Sequence, residues 1–319
     1  MNTPPAGAAL GTLVFYSEFD DFDTWKRALQ TCLPTLQVLR AQDVSDPDAV
    51  HFALVWKPPQ GYFRSMRQLK LIINLGAGVD SLTTRDDLPA HVPVTRISDP
   101  NMARMMAGYV LFATLRHARD IPFFEAAQRR REWAYLHPRS PQEIRVAVLG
   151  LGELGSLAAS ELQRQGFDVL GWARSQRQID GVRCYAGLDT LDTVLRQADI
   201  LVIMLPLTDA TRGLLDRSRL SRLPRGAALI NVARGAIVAQ QALSELLQSG
   251  HIGSATLDAF EPEPLPSGDP LWSLPNVLIT PHLASVAIPG SAARQIADNL
   301  VRVTNGEDVT AQVDLQRGY

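Results

Sequence analysis

Val146-Ala147-Val148-Leu149-Gly150-Leu151-Gly152-Glu153-Leu154-Gly155 is the stretch that decides the fold of this 319-residue chain. A short apolar run that leads through a glycine turn into a helix is the local order of a dinucleotide-binding unit. Gly150 allows a tight turn, Gly152 lets backbone amides approach a pyrophosphate, and Gly155 lets the helix pack closely on the strand. A turn of this kind also forms for packing reasons alone, so the rest of the chain has to decide between the two interpretations.

Length and composition indicate a soluble protein of two domains with cores of ordinary size. Hydrophobic residues make up 46% of the chain, charged residues 20%, and the formal net charge is -2, which gives no reason to expect nucleic acid or a membrane as a partner. No apolar run approaches the roughly 18 residues of a membrane span, and the first residues contain no basic segment of a secretion signal. Cys32 and Cys184 lack metal-ligand spacing. We therefore expect a cytoplasmic protein without a metal.

Short apolar runs alternate with polar or helical segments along most of the chain, which predicts an α/β fold with parallel sheets. Asp23 is the predicted N-cap of the first helix, and Met102 to Arg119 is predicted to form a long helix. The predicted strands are Leu13 to Phe15, Leu36 to Leu39, Ala53 to Trp56, Leu71 to Leu75, Val92 to Thr95, Val169 to Ala173, Ile200 to Leu205, Ala227 to Val232, Ala255 to Leu257 and Val277 to Thr280.

The loop after the strand Val169 to Ala173 indicates which dinucleotide the turn binds. An NAD-specific unit places an acidic residue at this position for the ribose hydroxyls. This chain instead has Arg174, Ser175 and Arg177, which offer two cations and a hydroxyl for a 2′-phosphate. The alternative is a solvated loop with chance arginines. We predict NADP(H) in preference to NAD(H).

A second glycine turn, Leu75-Gly76-Ala77-Gly78-Val79-Asp80, also follows a predicted strand. It lacks the third glycine of a dinucleotide fingerprint and has Ser81 there. We interpret it as a turn whose backbone amides bind a smaller anion, such as a substrate carboxylate. Ordinary turn geometry without a ligand is the alternative.

Three polar side chains at or just after predicted strand ends predict the chemistry. Arg234, Glu263 and His282 can converge, because the carboxyl ends of parallel strands form the ligand crevice of an open α/β sheet. Arginine supplies a planar cation that holds a carboxylate and polarises a carbonyl, and histidine supplies a proton near neutral pH. A carboxylate bonded to that histidine orients the ring and favours the imidazolium form. The pattern fits hydride transfer to a 2-oxo acid, although each residue alone also has an ordinary structural interpretation.

Several motifs together resemble the D-isomer-specific 2-hydroxyacid dehydrogenases over nearly the whole chain. Beside the first glycine turn, they are Asn231-Val232-Ala233-Arg234-Gly235, Asp258-Ala259-Phe260-Glu261-Pro262-Glu263-Pro264-Leu265-Pro266 and Thr280-Pro281-His282. Within that family, the chain resembles the glyoxylate/hydroxypyruvate reductase A branch in Trp56-Lys57-Pro58-Pro59, Leu75 to Ser81, Trp172-Ala173-Arg174-Ser175 and the ending Gln312 to Tyr319. One departure is Gly108, where the family commonly has glutamate.

The resemblance implies a Rossmann-type NADP-binding domain, residues 100–285, and a discontinuous, flavodoxin-like substrate domain, residues 1–99 and 286–319. It implies that Arg234, Glu263 and His282 are the catalytic residues and that the chain forms a homodimer. The implied substrate contacts are Trp56, Ala77, Gly78, Val79, Arg234 and His282. The predicted cofactor contacts are Gly150, Gly152, Glu153, Leu154, Gly155, Arg174, Ser175, Arg177, Leu205, Pro206, Val232, Ala233 and Asp258.

The function implied is an NADPH-dependent reductase that converts glyoxylate to glycolate and hydroxypyruvate to D-glycerate. One alternative is the same chemistry on a bulkier 2-oxo acid, such as phenylpyruvate or a branched-chain keto acid. Another, of a different class, is a nucleotide-sensing binding protein similar to a corepressor on this fold. Turnover with a panel of 2-oxo acids distinguishes the three.

Overall fold

The computed structural model of the protein describes residues 10–318. Its strands are β1 Thr12–Tyr16, β2 Gln37–Arg40, β3 Val50–Val55, β4 Leu71–Asn74, β5 Val94–Arg96, β6 Arg145–Leu149, β7 Asp168–Ala173, β8 Arg183–Ala186, β9 Ile200–Ile203, β10 Ala227–Asn231, β11 Ile252–Leu257 and β12 Val277–Ile279. Its α-helices are α1 Phe22–Cys32, α2 Asp80–Thr83, α3 Pro100–Ala118, α4 Ile121–Arg130, α5 Glu153–Arg164, α6 Leu188–Leu195, α7 Arg217–Leu220, α8 Gln240–Gln248 and α9 Pro289–Thr304.

The chain divides into two compact units. Unit 1 contains the chain up to Met102 together with the residues from Val286 onward, and unit 2 is Ala103–Ser285. The first division falls within α3, so this one helix belongs in sequence to both units. Among the helices that the structure describes, none has the length and apolarity needed to cross a membrane.

Unit 1 contains a five-stranded parallel sheet in the order β2-β1-β3-β4-β5. This is the strand order of flavodoxin-like folds, in which ligands bind beyond the carboxyl ends of the strands. The central strands are buried along their length because helices or loops cover both faces of the sheet. Helices α1 and α9 pack together over one face, through buried Trp25, Leu29, Ile296 and Leu300.

The cap of α1 differs from the sequence-based expectation. Asp21, and not Asp23, is the N-cap, and its carboxylate accepts a hydrogen bond from the amide of Thr24 at 2.9 Å. Asp23 lies in the first turn instead, where an acidic side chain is favoured by the helix dipole. The helix therefore begins two residues earlier than predicted.

Unit 2 contains a seven-stranded parallel sheet in the order β12-β11-β10-β9-β6-β7-β8. Numbered from β6, this order is 3-2-1-4-5-6 with a seventh strand added beside β11, which is the doubly wound Rossmann arrangement. The order reverses between β6 and β9, so the crevice at the carboxyl ends of these two strands is the topological position for a dinucleotide. The α/β class and the parallel sheets predicted from the sequence are confirmed.

Buried apolar residues cover both faces of this second sheet. One layer includes Leu149, Leu170, Leu201 and Leu229 with residues of α6 and α8. The other includes Val146, Val148 and Val202 with residues of α3 and α5. Because both faces are covered, the free ends of the strands are where polar side chains can be exposed without disrupting the core.

Candidate active site

The glycine turn after β6 has a different structural requirement at each glycine. Gly150 has a φ of +105°, and a Cβ there would lie 2.5 Å from the carbonyl oxygen of Met204. A Cβ on Gly155 would lie 1.8 Å from the carbonyl oxygen of Gly150. Gly152, the N-cap of α5, is exposed, and a Cβ there would meet no heavy atom within 4 Å. Packing explains the first and third glycines, whereas the middle glycine leaves the helix N-terminus accessible to a ligand.

The loop after β7 carries the side chains predicted to bind a 2′-phosphate. Strand β7 ends at Ala173, and Arg174, Ser175 and Arg177 follow it as exposed residues. Because β7 pairs with β6 in parallel, this loop leaves the same edge of the sheet as the glycine turn. Two guanidinium groups and a hydroxyl at this position form a cationic rim with hydrogen-bond donors for a phosphate.

The other predicted cofactor residues lie along the same edge. Leu205 is beside the glycine turn, since its amide nitrogen would be 3.0 Å from a Cβ on Gly150. Val232 and Ala233 follow β10 and are almost fully buried, and Pro206 is exposed after β9. Glu153 and Leu154 occupy the first turn of α5.

Arg234 is positioned by a buried asparagine at the end of β10. The Asn231 side chain is 2% exposed, accepts a hydrogen bond from the amide of Ala233 at 3.1 Å and donates one to the carbonyl of Arg234 at 3.1 Å. The Arg234 guanidinium donates to the carbonyl of Ala233 at 2.8 Å. A Cβ on Gly235 would lie 2.0 Å from the carbonyl carbon of Phe260. The glycine therefore lets the Arg234 turn pack directly on the loop that carries Glu263.

The three predicted catalytic residues come together in the structure. The Nδ1 atom of His282 lies 2.9 and 3.1 Å from the two carboxylate oxygens of Glu263. Its Nε2 atom lies 3.5 Å from the Nη1 atom of Arg234. A carboxylate only accepts hydrogen bonds, so Nδ1 is the protonated nitrogen in this pair. The carboxylate also accepts from the amide of Phe260 at 3.1 Å, which fixes its orientation.

Asp258 forms hydrogen bonds to residues on both sides of His282 in the chain. Its carboxylate is 2% exposed and accepts hydrogen bonds from the hydroxyl of Thr280 at 2.6 Å and from the amides of Leu283 and Ala284, both at 2.9 Å. These bonds support His282, whose φ of +56° is unusual for a residue with a side chain. The oxygen atoms of Asp258 are thus occupied within the protein, and its predicted contact with the cofactor stays a prediction.

Tyr109 on α3 extends this set of hydrogen bonds. Its hydroxyl lies 2.5 Å from the hydroxyl of Thr280. Because the hydroxyl of Thr280 donates its hydrogen bond to Asp258, the hydroxyl of Tyr109 is the donor in the bond to Thr280. Burial is the main reason why the pKa of Tyr109 is raised, so the phenol keeps its proton. The neighbouring Gly108 is exposed, and a Cβ there would meet no heavy atom within 4 Å, so the departure from the family at this position opens no gap in the core.

The substrate residues predicted in unit 1 cluster at the carboxyl ends of β3 and β4. Trp56 follows β3, and its ring packs on the backbone of Gly76, where a Cβ would lie 2.5 Å from the Cζ3 atom of the ring. Lys57 places its ammonium 5.6 Å from the centre of the same ring. Ala77 and Gly78 are half-buried, and Val79 is 2% exposed. The two predicted groups of substrate residues therefore belong to different units, with Arg234 and His282 in unit 2.

A buried ion pair fixes the loop that follows Trp56. Arg85 and Asp87 have side chains that are 2% and 0% exposed, and Arg85 donates at 2.7 Å to each of the carbonyls of Pro58 and Pro59. Asp87 also accepts from the amide of Phe63. The pKa of Asp87 is lowered although burial acts to raise it, because the hydrogen bonds from Arg85 and Phe63, together with the positive charge of Arg85, outweigh burial.

Sequence reasoning missed several residues that position the site. Asn231 is the last residue of β10 and leads into a turn, where asparagine is common for local reasons. Tyr109 lies in the mostly apolar helix α3, where the residue pattern does not distinguish a hydrogen-bond donor from a packing residue. The signal that was available is the polar residue type inside or directly after a buried strand, since a buried polar side chain needs a partner. In the part of the chain that the structure describes, no cluster of histidine, cysteine and acidic side chains has metal-binding geometry.

A known family model matches the part of the chain that contains Arg234, Glu263 and His282. The family model described as "D-isomer specific 2-hydroxyacid dehydrogenase, NAD binding domain" matches residues 111–284. The chain is similar to proteins named glyoxylate/hydroxypyruvate reductase A from Yersinia enterocolitica and Serratia proteamaculans. Each is 37% identical over 312 residues, which cover 96% of this chain and 99% of the relative.

Solved structures show the same similarity in three dimensions. A D-isomer specific 2-hydroxyacid dehydrogenase from Xanthobacter autotrophicus Py2, solved with NADPH and MES, is 58% identical with a TM-score of 0.93, and the match covers 97% of this chain and 99% of that chain. An NADPH-dependent glyoxylate/hydroxypyruvate reductase from Sinorhizobium meliloti, solved with NADP and sulfate, is 32% identical with a TM-score of 0.91, covering 97% and 100%. Both similarities extend over both units of this chain.

Proposed function

The chain belongs to the D-isomer specific 2-hydroxyacid dehydrogenase family, and from this premise we propose that it reduces small 2-oxo acids with NADPH. Glyoxylate gives glycolate and hydroxypyruvate gives D-glycerate. The observation that carries the proposal is the contact of His282 with Glu263 and Arg234 at the sheet edge that also holds the glycine turn. The relatives named as glyoxylate/hydroxypyruvate reductases support this substrate class.

The roles of the three side chains follow from their geometry. Arg234 binds the substrate carboxylate and polarises the 2-oxo group, because its guanidinium is a planar cation with several donors. Glu263 accepts a hydrogen bond from the Nδ1–H group of His282. This bond directs the Nε2–H group of the imidazolium toward the 2-oxo oxygen. His282 donates this proton as the carbonyl becomes a hydroxyl. NADPH supplies the hydride when bound.

The residues at the edge of the sheet fit NADPH. The accessible amides at the N-terminus of α5 suit a pyrophosphate, since Gly152 leaves that side open. Arg174, Ser175 and Arg177 suit the 2′-phosphate, and no acidic side chain follows directly after β7 to repel it. We expect NADPH to slow amide hydrogen exchange in residues 150–155 and 174–177. Unchanged exchange in both segments at saturating NADPH would contradict this assignment.

The two units take different roles in this proposal. Unit 2 is the NADP-binding domain, with the contacts predicted above from Gly150 to Asp258. Unit 1 is the substrate domain, in which Trp56 shapes the pocket and the Ala77-Gly78-Val79 turn binds the substrate carboxylate. Support comes from the strand orders, since each sheet has the topology expected for its role.

We also propose that the protein is a cytoplasmic homodimer that binds neither nucleic acid nor membrane. Apolar side chains that are at least about two fifths exposed cluster in sequence between residues 112 and 136, and such surfaces commonly mark interfaces between subunits. They include Phe112, Phe123, Trp133, Tyr135 and Leu136. Light scattering should give about twice the mass of the 35.0 kDa chain. A monomer at micromolar concentration would contradict the dimer, and cell fractionation tests the location.

A steady-state panel of 2-oxo acids with NADPH and NADH tests the function. We expect kcat/KM to be highest for glyoxylate or hydroxypyruvate with NADPH. A preference for phenylpyruvate or a branched-chain keto acid would assign the chain to the same chemistry on a bulkier substrate. Absence of turnover across the panel, together with tight NADPH binding, would favour a nucleotide-sensing binding protein.

A further inference from the structure

The side chain of Asn74 has no assigned role, although it lies at the centre of the substrate turn in unit 1. Asn74 is the last residue of β4 and is 0% exposed. Its amide nitrogen donates two hydrogen bonds, to the carbonyl of Gly76 at 2.9 Å and to the carbonyl of Gly78 at 3.0 Å. One buried side chain therefore fixes two alternate peptide groups of the same turn.

The direction of these carbonyls determines the direction of two amides. The peptide bonds Gly76–Ala77 and Gly78–Val79 are trans, since the cis bonds in the described chain lie elsewhere. In a planar trans peptide, the N–H group points opposite to the C=O group. Because both carbonyls face Asn74, the amides of Ala77 and Val79 both point away from it.

These two amides are available to an anion. Neither donates a hydrogen bond to another group within residues 10–318. Two N–H groups of one short turn that both point away from Asn74 offer hydrogen-bond donors to a carboxylate or a similar oxyanion. Trp56 packs on Gly76 and limits the space beside the same turn.

We propose that Asn74 is a positioning residue for substrate binding, which orients the amides of Ala77 and Val79 toward the carboxylate of the 2-oxo acid. The carbonyls of Gly76 and Gly78 are the two groups through which Asn74 acts on the turn. This inference rests on the proposed function for the identity of the substrate. It predicts an effect on binding of the carboxylate and not on the chemical step, because the carboxylate is held equally in the ground state and the transition state.

Steady-state kinetics of Asn74→Leu test the proposal, with Thr95→Val as the matched control. Leucine has a similar volume but donates no hydrogen bond. Thr95 is equally buried, on neighbouring β5, and its hydroxyl lacks a partner among the described residues. We expect N74L to raise KM for glyoxylate by about tenfold to a hundredfold. The variant loses the two hydrogen bonds that orient the amides of Ala77 and Val79. Its kcat should change less than threefold and its KM for NADPH should stay the same, while T95V resembles wild type.

Binding of oxalate, measured by calorimetry without turnover, keeps the test decisive. N74L should bind oxalate at least tenfold more weakly than wild type and T95V do. Equal oxalate affinity in N74L and wild type, an unchanged KM, or a loss confined to kcat would each overturn the role of Asn74. A wild-type protein that fails to reduce glyoxylate and hydroxypyruvate overturns the proposed function, and the oxalate comparison still decides the role of Asn74. Circular dichroism at the assay temperature identifies a variant that has not folded, and Asn74→Ser, which keeps one donor, then replaces it with an expected intermediate loss.

Discussion

His117 makes the stability of unit 2 dependent on pH. The residue is 8% exposed, and its ring nitrogens lie 2.8 Å from the hydroxyl of Ser254 and 3.0 Å from that of Thr256. Burial, with a smaller contribution from the charge of Arg116, lowers the pKa of His117 from 6.5 to about 3. Below pH 6.5 the unfolded chain binds a proton at this histidine, whereas the folded chain does so only near pH 3. The free energy of unfolding is therefore not reduced by this histidine above pH 6.5, and it falls as the pH decreases from 6.5 toward 3.

The size of the effect follows from the two pKa values. Between pH 7 and pH 5, protonation of His117 in the unfolded chain alone lowers the free energy of unfolding by about 2 kcal/mol, since one pKa unit corresponds to about 1.4 kcal/mol. Urea unfolding at the two pH values measures it in wild type and in His117→Gln, which cannot titrate. The decrease between pH 7 and pH 5 should be about 2 kcal/mol smaller in the variant.

Ser254→Ala separates titration from a general loss of stability. This variant keeps the buried imidazole but loses one hydrogen-bond partner. It should be less stable than wild type at both pH values and should keep the full dependence on pH, because burial is the main cause of the lowered pKa. An H117Q variant with the same dependence on pH as wild type would refute the reasoning.

Three further predictions concern the cofactor and the catalytic histidine. His282→Asn should reduce kcat for glyoxylate by about 10²- to 10⁴-fold, as for loss of a general acid, while NADPH affinity measured by fluorescence stays near that of wild type; near-normal turnover would exclude the proton-donor role. Arg174→Ala should lower kcat/KM with NADPH by at least about tenfold and leave the value with NADH unchanged, since a charge-assisted bond to the 2′-phosphate is lost; an equal loss with both cofactors would contradict phosphate binding. Gly155→Ala should lower the free energy of unfolding by at least about 2 kcal/mol because its Cβ meets the carbonyl of Gly150, whereas Gly152→Ala should fold normally and bind NADPH more weakly. Urea unfolding and NADPH titration separate the two glycine variants, and equal stability losses would show that both glycines serve packing alone.

The strands of both sheets could be predicted from the sequence because each buried strand is a run of apolar residues. Strand β8, Arg183–Ala186, was missed because it lies at an edge of its sheet and is mostly half-exposed, so its short apolar segment does not stand out as a buried strand. The predicted end of β9 was too late, because Leu205 is apolar and buried without being part of the sheet. Burial and strand pairing are different properties, and the residue pattern reports mainly the first.

The site was partly predictable for a related reason. Parallel strands bring their carboxyl ends to one edge, so Arg234, Glu263 and His282 could be expected to meet before any coordinates were known. The residues that aim them could not be identified in the same way. The role of Asn231 depends on hydrogen bonds to particular backbone groups, and that of Thr280 on a hydrogen bond to the carboxylate of Asp258. A sequence pattern contains no information about those directions.

The left-handed backbone at His282 restricts which residues can replace the histidine during divergence. Glycine adopts this conformation without strain and asparagine does so readily, whereas alanine and branched residues do not. The hydrogen bonds from the amides of Leu283 and Ala284 to Asp258 do not use the side chain at position 282, so we expect them to maintain the loop after a substitution there. A descendant of this chain that gave up catalysis and kept NADP as a bound signal is therefore expected to carry glycine or asparagine there. Sequences with this replacement and an intact Asp258 are the ones in which to look for proteins that sense the cofactor without consuming it.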